Sequence, residues 1–294
     1  MSETTTEQKT WRVLDLINWT TDYLKEKGFP APRSDVEWLL IHVLDCERVE
    51  LYTDFEKPLQ PGELSEFKAL LKRRLSHEPV QYITGETEFM GYPFAVNESV
   101  LIPRPETEIL VEHAVDWLRE RESSGSRVLD IGTGSGCIAV SLGKLVPGIE
   151  VTALDNSLEA LDVARSNAER NGVAEHIEFR EQNILQTAPP DKYDLIISNP
   201  PYVANNEIEG LQEDIRKYEP ENALVAGEEG LTFYQYFAKY AHQWITDGGR
   251  FMLEIGGTHQ SEAIRELFAN DGWSDISIIK DYNEQDRIVI AVPE

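Results

Sequence analysis

The chain of 294 residues contains only two cysteines, Cys46 and Cys137, far apart and without metal-ligand spacing. Neither a disulfide framework nor a cysteine-based zinc site is expected from them. No apolar run reaches the ~20 residues that span a bilayer, so no membrane partner is expected. The start, Met1 to Glu7, is polar and acidic and lacks the basic and apolar regions of a secretory signal; the expected location is cytoplasmic. Positive charge is also scarce: 27 Lys and Arg stand against 53 Asp and Glu, a formal net charge of −26. A field of that sign repels phosphate backbones, whose neutralisation by Lys and Arg supplies much of nucleic-acid affinity. A direct nucleic-acid partner is therefore disfavoured. No internal repeat or low-complexity tract is present. With 41% hydrophobic and 27% charged residues, the composition is that of a globular protein long enough for two domains.

The first part of the chain reads as helical. Trp11, Leu14, Ile17 and Leu24 fall near helical spacing, and Gly28 and Pro30 end that run. Ser34 with Glu37 predicts a capping-box start for a second helix. A third is predicted from about Pro61 to Ser76, with Leu64, Phe67, Leu71 and Leu75 on one side. No catalytic constellation occurs here, which suggests a module for packing or docking. Residues 84–89 and 92–96 flank Met90-Gly91 as a hairpin, and Pro105 suits the first turn of a helix running to about Arg121. Residues 122–126, Glu-Ser-Ser-Gly-Ser, read as a flexible connector.

Beyond it strands and helices alternate. Strands are expected at Arg127–Ile131, Glu150–Leu154, His176–Arg180, Tyr193–Ser198, Gly249–Ile255, Asp275–Lys280 and Arg287–Val292, the last antiparallel. The fold class is α/β: a seven-stranded Rossmann-like sheet with a small N-terminal helical domain. The expected division is 1–83 helical docking domain, 84–104 hairpin linker and 105–294 catalytic domain.

After the first of these strands comes Asp130-Ile131-Gly132-Thr133-Gly134-Ser135-Gly136. Glycines let the backbone pass close to a ligand as it enters a helix N-terminus. Their spacing is GxGxG, so the dinucleotide fingerprint GxGxxG is not met. An acidic residue before the loop argues against a pyrophosphate and for a ligand bearing an ammonium group. Asp155 ends the second strand, where a carboxylate can accept from both ribose hydroxyls. Asn183 and Ile184, after the third, are placed to meet an adenine edge and face. The set Asp130, Gly132, Thr133, Gly134, Ser135, Gly136, Asp155, Asn183 and Ile184, joined by Asn199, describes a pocket for S-adenosylmethionine.

Asn199-Pro200-Pro201-Tyr202 follows the fourth strand, at the rim where an open α/β sheet meets its ligand. Two prolines remove backbone donors and fix φ, leaving outward-facing carbonyls. An NH2 group can be gripped there by acceptors, with an aromatic face beside it. The same four residues can also form an idle turn; the cofactor pocket is what makes the grip the stronger reading. Asn199, Pro200 and Tyr202 are the expected catalytic residues, and these with Pro201 the substrate-binding ones.

The chain resembles the HemK/PrmC-type release-factor glutamine methyltransferases over nearly its whole length. The resemblance rests on Pro79–Gly85, Glu88-Phe89, Val100–Glu108, the Asp130–Gly136 loop, Ser198–Tyr202, Tyr218-Glu219-Pro220, Leu253–Gly256 and Asp286–Val289. It implies N5-methylation of the glutamine in the Gly-Gly-Gln tripeptide of class-1 peptide chain release factors. It also implies S-adenosylmethionine as donor and an N-terminal domain that helps to hold the release factor. The accompanying expectations are a monomer and no metal. Arg104 and Glu106 stand either at the pocket mouth, near cofactor or substrate, or in a structural hinge with an Arg–Glu pair between domains; the hinge is the stronger reading, and Glu254 is expected to be structural. The alternative is an amino methyltransferase acting on adenine in DNA or RNA, whose base also presents an NH2 group.

Overall fold

The computed structural model describes residues 10–121 and 125–294. The acidic start and Glu122-Ser123-Ser124 of the expected connector lie outside the described residues. Two compact units are present, the first ending at Thr84 and the second spanning Gly85–Glu294.

In the first unit, α1 (Val13–Glu26), α2 (Pro32–Leu44), α3 (Glu50–Thr53), α4 (Pro61–Arg74) and α5 (Val80–Thr84) enclose a core that includes Leu16, Ile17, Leu24, Leu39, Leu40 and Phe67. The Ser34–Glu37 capping box does not form. Pro32 is preorganised for a first helical turn, so α2 begins there and Ser34 falls inside it. Glu37 is instead buried and accepts from Arg33 Nε at 2.9 Å, Arg48 Nη2 at 2.7 Å and the Tyr52 hydroxyl at 2.5 Å. Burial pushes its carboxyl up, but these donors outweigh it and hold it below the usual range. The capping box occurs at Gln60 and Glu63, at the start of α4. The segment of α5 has no helical prediction in the sequence.

The second unit opens with the hairpin β1 (Glu86–Phe89) and β2 (Tyr92–Ala95), followed by α6 (Pro105–Glu120). Then come β3 (Arg127–Ile131), α7 (Cys137–Leu145), β4 (Glu150–Asp155), α8 (Leu158–Arg170), β5 (Ile177–Glu181) and β6 (Tyr193–Ser198). The chain ends with α9 (Glu213–Tyr218), α10 (Thr232–Tyr240), β7 (Ile245–Glu254), α11 (Thr258–Asn270), β8 (Trp273–Lys280) and β9 (Asp286–Pro293). The seven-stranded sheet has the order β5-β4-β3-β6-β7-β9-β8. The first five in that order run parallel, and β9 inserts antiparallel between β7 and β8. The seven-stranded fold class and its antiparallel last strand are as expected.

Strand residues alternate between two apolar layers, as the pleat requires. Val128, Val151, Leu195 and Ile197 pack with Leu110, Leu118, Val140 and Leu142 of α6 and α7. Leu129, Leu154, Ile196 and Phe251 pack with Tyr234, Phe237, Ile264 and Phe268 of α10 and α11. β7 starts at Ile245, four residues before the expected Gly249, because its pairing with β6 shifts register between Tyr193 and Leu195. At that shift Gly249 passes so close to Asp194 that a Cβ would lie 2.7 Å from the Asp194 carbonyl oxygen. The chain order reverses between β3 and β6, where Ile131 pairs with Ser198. Ligands of open α/β sheets bind in the crevice at such a point.

Candidate active site

A cleft of about 1080 Å³, open solvent at its mouth included, lies at the carboxyl ends of β3, β4, β5 and β6. Gly132, Thr133, Gly134 and Ser135 line one wall, Asp155, Asn183 and Ile184 the next, and Asn199, Pro200 and Pro201 the far side.

The loop between β3 and α7 is tied to β4 by the Gly132 and Thr133 amides, which both donate to the Leu154 carbonyl, at 2.8 and 2.9 Å. Gly136 has φ +79° and packs on α8 so closely that a Cβ would lie 3.0 Å from the Ala164 Cβ. It sets the approach of α7 and does not itself line the cleft. Gly134 has φ +55°; its amide donates to Asp155 Oδ2 at 2.9 Å, and the Ser157 amide donates to Asp155 Oδ1 at 3.0 Å. These bonds fix the carboxylate at the rim while each oxygen keeps a further lone pair. Burial raises the Asp155 carboxyl and the amides of Gly134, Ser157 and Asn156 draw it back.

Asp130 is fully buried beneath the loop and does not line the cleft. Its Oδ2 accepts from the Thr133 hydroxyl at 2.7 Å, and burial pushes its carboxyl to about 7. Asn183 lies on the rim with its Oδ1 engaged by the Leu185 amide at 3.0 Å. Ile184 is buried and presents an apolar wall, with Ile138, Leu185 and Phe233 near it on the lining.

On the far side, the buried Ser198 hydroxyl donates to the Ile131 carbonyl at 2.6 Å, locking the ends of β6 and β3 together. Asn199 Nδ2 donates to Thr107 Oγ1 at 3.1 Å, and Thr107 Oγ1 donates to Glu254 Oε2 at 2.6 Å. Tyr202 is not among the cleft-lining residues. Its backbone is fixed by its amide on the Leu224 carbonyl at 3.1 Å and by Gln260 Nε2 on its own carbonyl at 3.0 Å. Its ring closes over Gly256, where a Cβ would come within 2.9 Å of Cδ2. Burial pushes the Tyr202 phenol to about 12, so it stays a neutral hydroxyl.

Arg104 lines the cleft, where the pocket-mouth reading puts it, and its Nη2 bonds Glu219 Oε1 rather than Glu106. Arg104 is the extended N-cap of α6, with φ −106° and ψ 146°, and Pro105 follows as the first helical residue. Thr107, Glu219 and Glu254 all belong to stretches that carry the resemblance, but no local signal marks their roles.

The comparisons agree with this architecture. Residues 15–85 match the PrmC N-terminal domain family and residues 106–218 the Methyltransferase small domain family. A release factor glutamine methyltransferase from Chlorobaculum tepidum is 43% identical over 288 residues, covering 96% of this chain and 97% of that protein. The chain belongs to the release factor glutamine methyltransferase family. A second member, from Geobacter sulfurreducens, is 40% identical over 285 residues, covering 97% of this chain and 98% of its own. A methyltransferase structure from Pyrococcus furiosus aligns with a TM-score of 0.50 at 20% identity, covering 77% of this chain and 98% of that one, which shows a shared fold. No helix among the described residues is long and apolar enough to cross a membrane.

Proposed function

We infer that this family member transfers a methyl group from S-adenosylmethionine to the side-chain nitrogen of the Gly-Gly-Gln glutamine in class-1 peptide chain release factors. The residues fit the cofactor. Gly132 and Gly134 leave open space where a Cβ would stand, the fixed Asp155 carboxylate keeps lone pairs that can accept from two ribose hydroxyls, and Ile184 offers an apolar wall. Asn183 offers its amide N–H to the adenine edge, its oxygen being held by Leu185. Asp130, beneath the loop, makes no direct contact with the cleft and instead holds the Thr133 hydroxyl.

The observation that carries the substrate reading is the orientation of Asn199. Its Nδ2 is engaged by Thr107, so its Oδ1 is the atom left for an incoming N–H. Pro200 and Pro201 lack amide protons and contribute only carbonyls. An amide nitrogen is a poor nucleophile because its lone pair is delocalised into the carbonyl. Acceptors at its two N–H groups stabilise the charge that develops there and aim the nitrogen along one line. Held by the glycine loop, Asp155 and Asn183, the cofactor would supply an electrophilic sulfonium methyl for that nitrogen, the electron pair of the carbon–sulfur bond staying with sulfur. One N–H proton then leaves to water. Tyr202 acts from behind, holding the Asn199–Pro201 turn rather than meeting the amide plane as its position in the motif suggested.

An adenine amino group presents the same pair of N–H donors. The charge of −26 opposes the approach of a phosphate backbone. Incubating the protein with labelled cofactor and, in parallel, a release factor, duplex DNA and RNA tests the reading. Label in the release factor alone is expected; label in nucleic acid would overturn it.

A further inference from the structure

We propose that Glu254 and Thr107 are positioning residues that set the Asn199 amide in the one orientation able to receive a substrate N–H. This rests on the substrate reading above. Thr107, on α6, and Glu254, at the end of β7, are 147 residues apart, and Asn199 is 92 residues from Thr107. All three meet at the sheet's ligand rim. Glu254 is 1% exposed and Thr107 2%, so water does not compete for these bonds.

The direction of the chain follows from donor counting. A carboxylate only accepts, and a hydroxyl carries a single proton. With the Thr107 proton given to Glu254, Thr107 presents only lone pairs to Asn199. The NH2 half of the Asn199 amide must then face Thr107, and Oδ1 must face the cleft. The opposite flip would set two oxygens against each other and turn two donors toward a substrate that itself donates. The β7 end that holds Glu254 is anchored in turn, the Tyr234 hydroxyl donating to the Glu254 carbonyl at 2.9 Å. Glu254 touches neither the cleft nor the reacting atoms, and a buried carboxylate is costly to keep. An isosteric apolar residue would fill its place if packing were its whole role.

The test uses the full chain with a release factor as methyl acceptor, comparing wild type, T107V, T107S, N199A and T107V/N199A. Calorimetric binding of S-adenosylhomocysteine reports the integrity of the cleft. T107V keeps the shape and loses the hydroxyl; its kcat is expected to fall roughly 10- to 100-fold. KM for the release factor and S-adenosylhomocysteine binding should stay within about threefold, roughly 0.7 kcal/mol by the tenfold-per-1.4 relation. T107S, which restores the hydroxyl, should recover kcat to within a few-fold. On the N199A background T107V should cost nothing further, since its effect passes through Asn199. Unchanged kcat in T107V, equal losses on both backgrounds, or loss of S-adenosylhomocysteine binding in T107V would each overturn the proposal. Absence of transfer by the wild type would instead fault the substrate reading.

Discussion

Arg104 and Glu219, 115 residues apart in sequence, form an ion pair that joins the segment leading into α6 to the segment leaving α9. The Glu219 side chain is 1% exposed and also accepts from the Ile102 amide at 3.2 Å. Arg104, Asn222 and Ala223 all line the cleft, so the pair holds two sides of its mouth.

Truncating Arg104 leaves a buried carboxylate without its counter-ion, a loss of about 3 kcal/mol for such pairs. Thermal unfolding of R104A should therefore show a clearly lowered midpoint. R104A/E219Q, which keeps an acceptor for Ile102 and removes the charge, should recover part of it. Burial already raises the Glu219 carboxyl against the pull of Arg104. Without Arg104 it rises further, so the folded state binds the extra proton and the deficit grows as pH rises. A deficit that is larger at pH 5 than at pH 8 would contradict this.

Asp155 is held by two amides with lone pairs to spare. D155A should weaken S-adenosylmethionine binding by roughly 10- to 100-fold, since hydrogen bonds to a charged group contribute about 1.5–3 kcal/mol. Titration calorimetry measures this directly. The stabilisation that added cofactor gives to the wild type should shrink in parallel, and unaltered affinity would remove Asp155 from the site.

Burial pushes the Glu254 carboxyl to about 7, with the Thr107 bond, Arg287 and Arg104 drawing it down and Glu106 pushing it up. Below that pH it takes up a proton and becomes a donor to Thr107. The Thr107 hydroxyl then turns toward Asn199 and favours the wrong flip. Single-turnover methyl transfer should thus rise as pH increases through about 7, and E254Q should lose that limb. Asp130 titrates in the same range, so any limb that persists in E254Q belongs to it. Identical profiles for both proteins would contradict the role of Glu254. The same shift acts on stability: because the folded carboxyl binds its proton more tightly than the unfolded one, its contribution declines as pH rises from the ordinary carboxylate range toward 7. E254Q should lose less stability than wild type over that interval.

The glycine loop, Asp155 and the Asn-Pro-Pro turn are legible in the sequence because each is a local signal: a backbone conformation, a strand end, a missing amide proton. The strand pattern is legible for the same reason, since buried parallel strands are short apolar runs between turn residues. Thr107 and Glu254 are not, because their roles arise only when residues 92 and 147 positions apart meet. Arg104 misleads because its sequence neighbour Glu106 is a plausible partner, whereas Glu219 lies 115 residues away. Ser34 and Glu37 misleads in a related way: the pattern is a genuine capping signal, but Pro32 starts the helix two residues earlier. Tyr202 completes a recognisable motif, yet backbone bonds to Leu224 and Gln260 place its ring behind the turn.

The nitrogen that Asn199 is proposed to grip is that of a protein glutamine. Mass spectrometry of an intact release factor, digested after incubation with this enzyme and S-adenosylmethionine, tests it most directly. A gain of one methylene on the glutamine of the Gly-Gly-Gln peptide is expected, absent with N199A. An unmodified Gly-Gly-Gln peptide, with the methyl group on another residue or none, would contradict it.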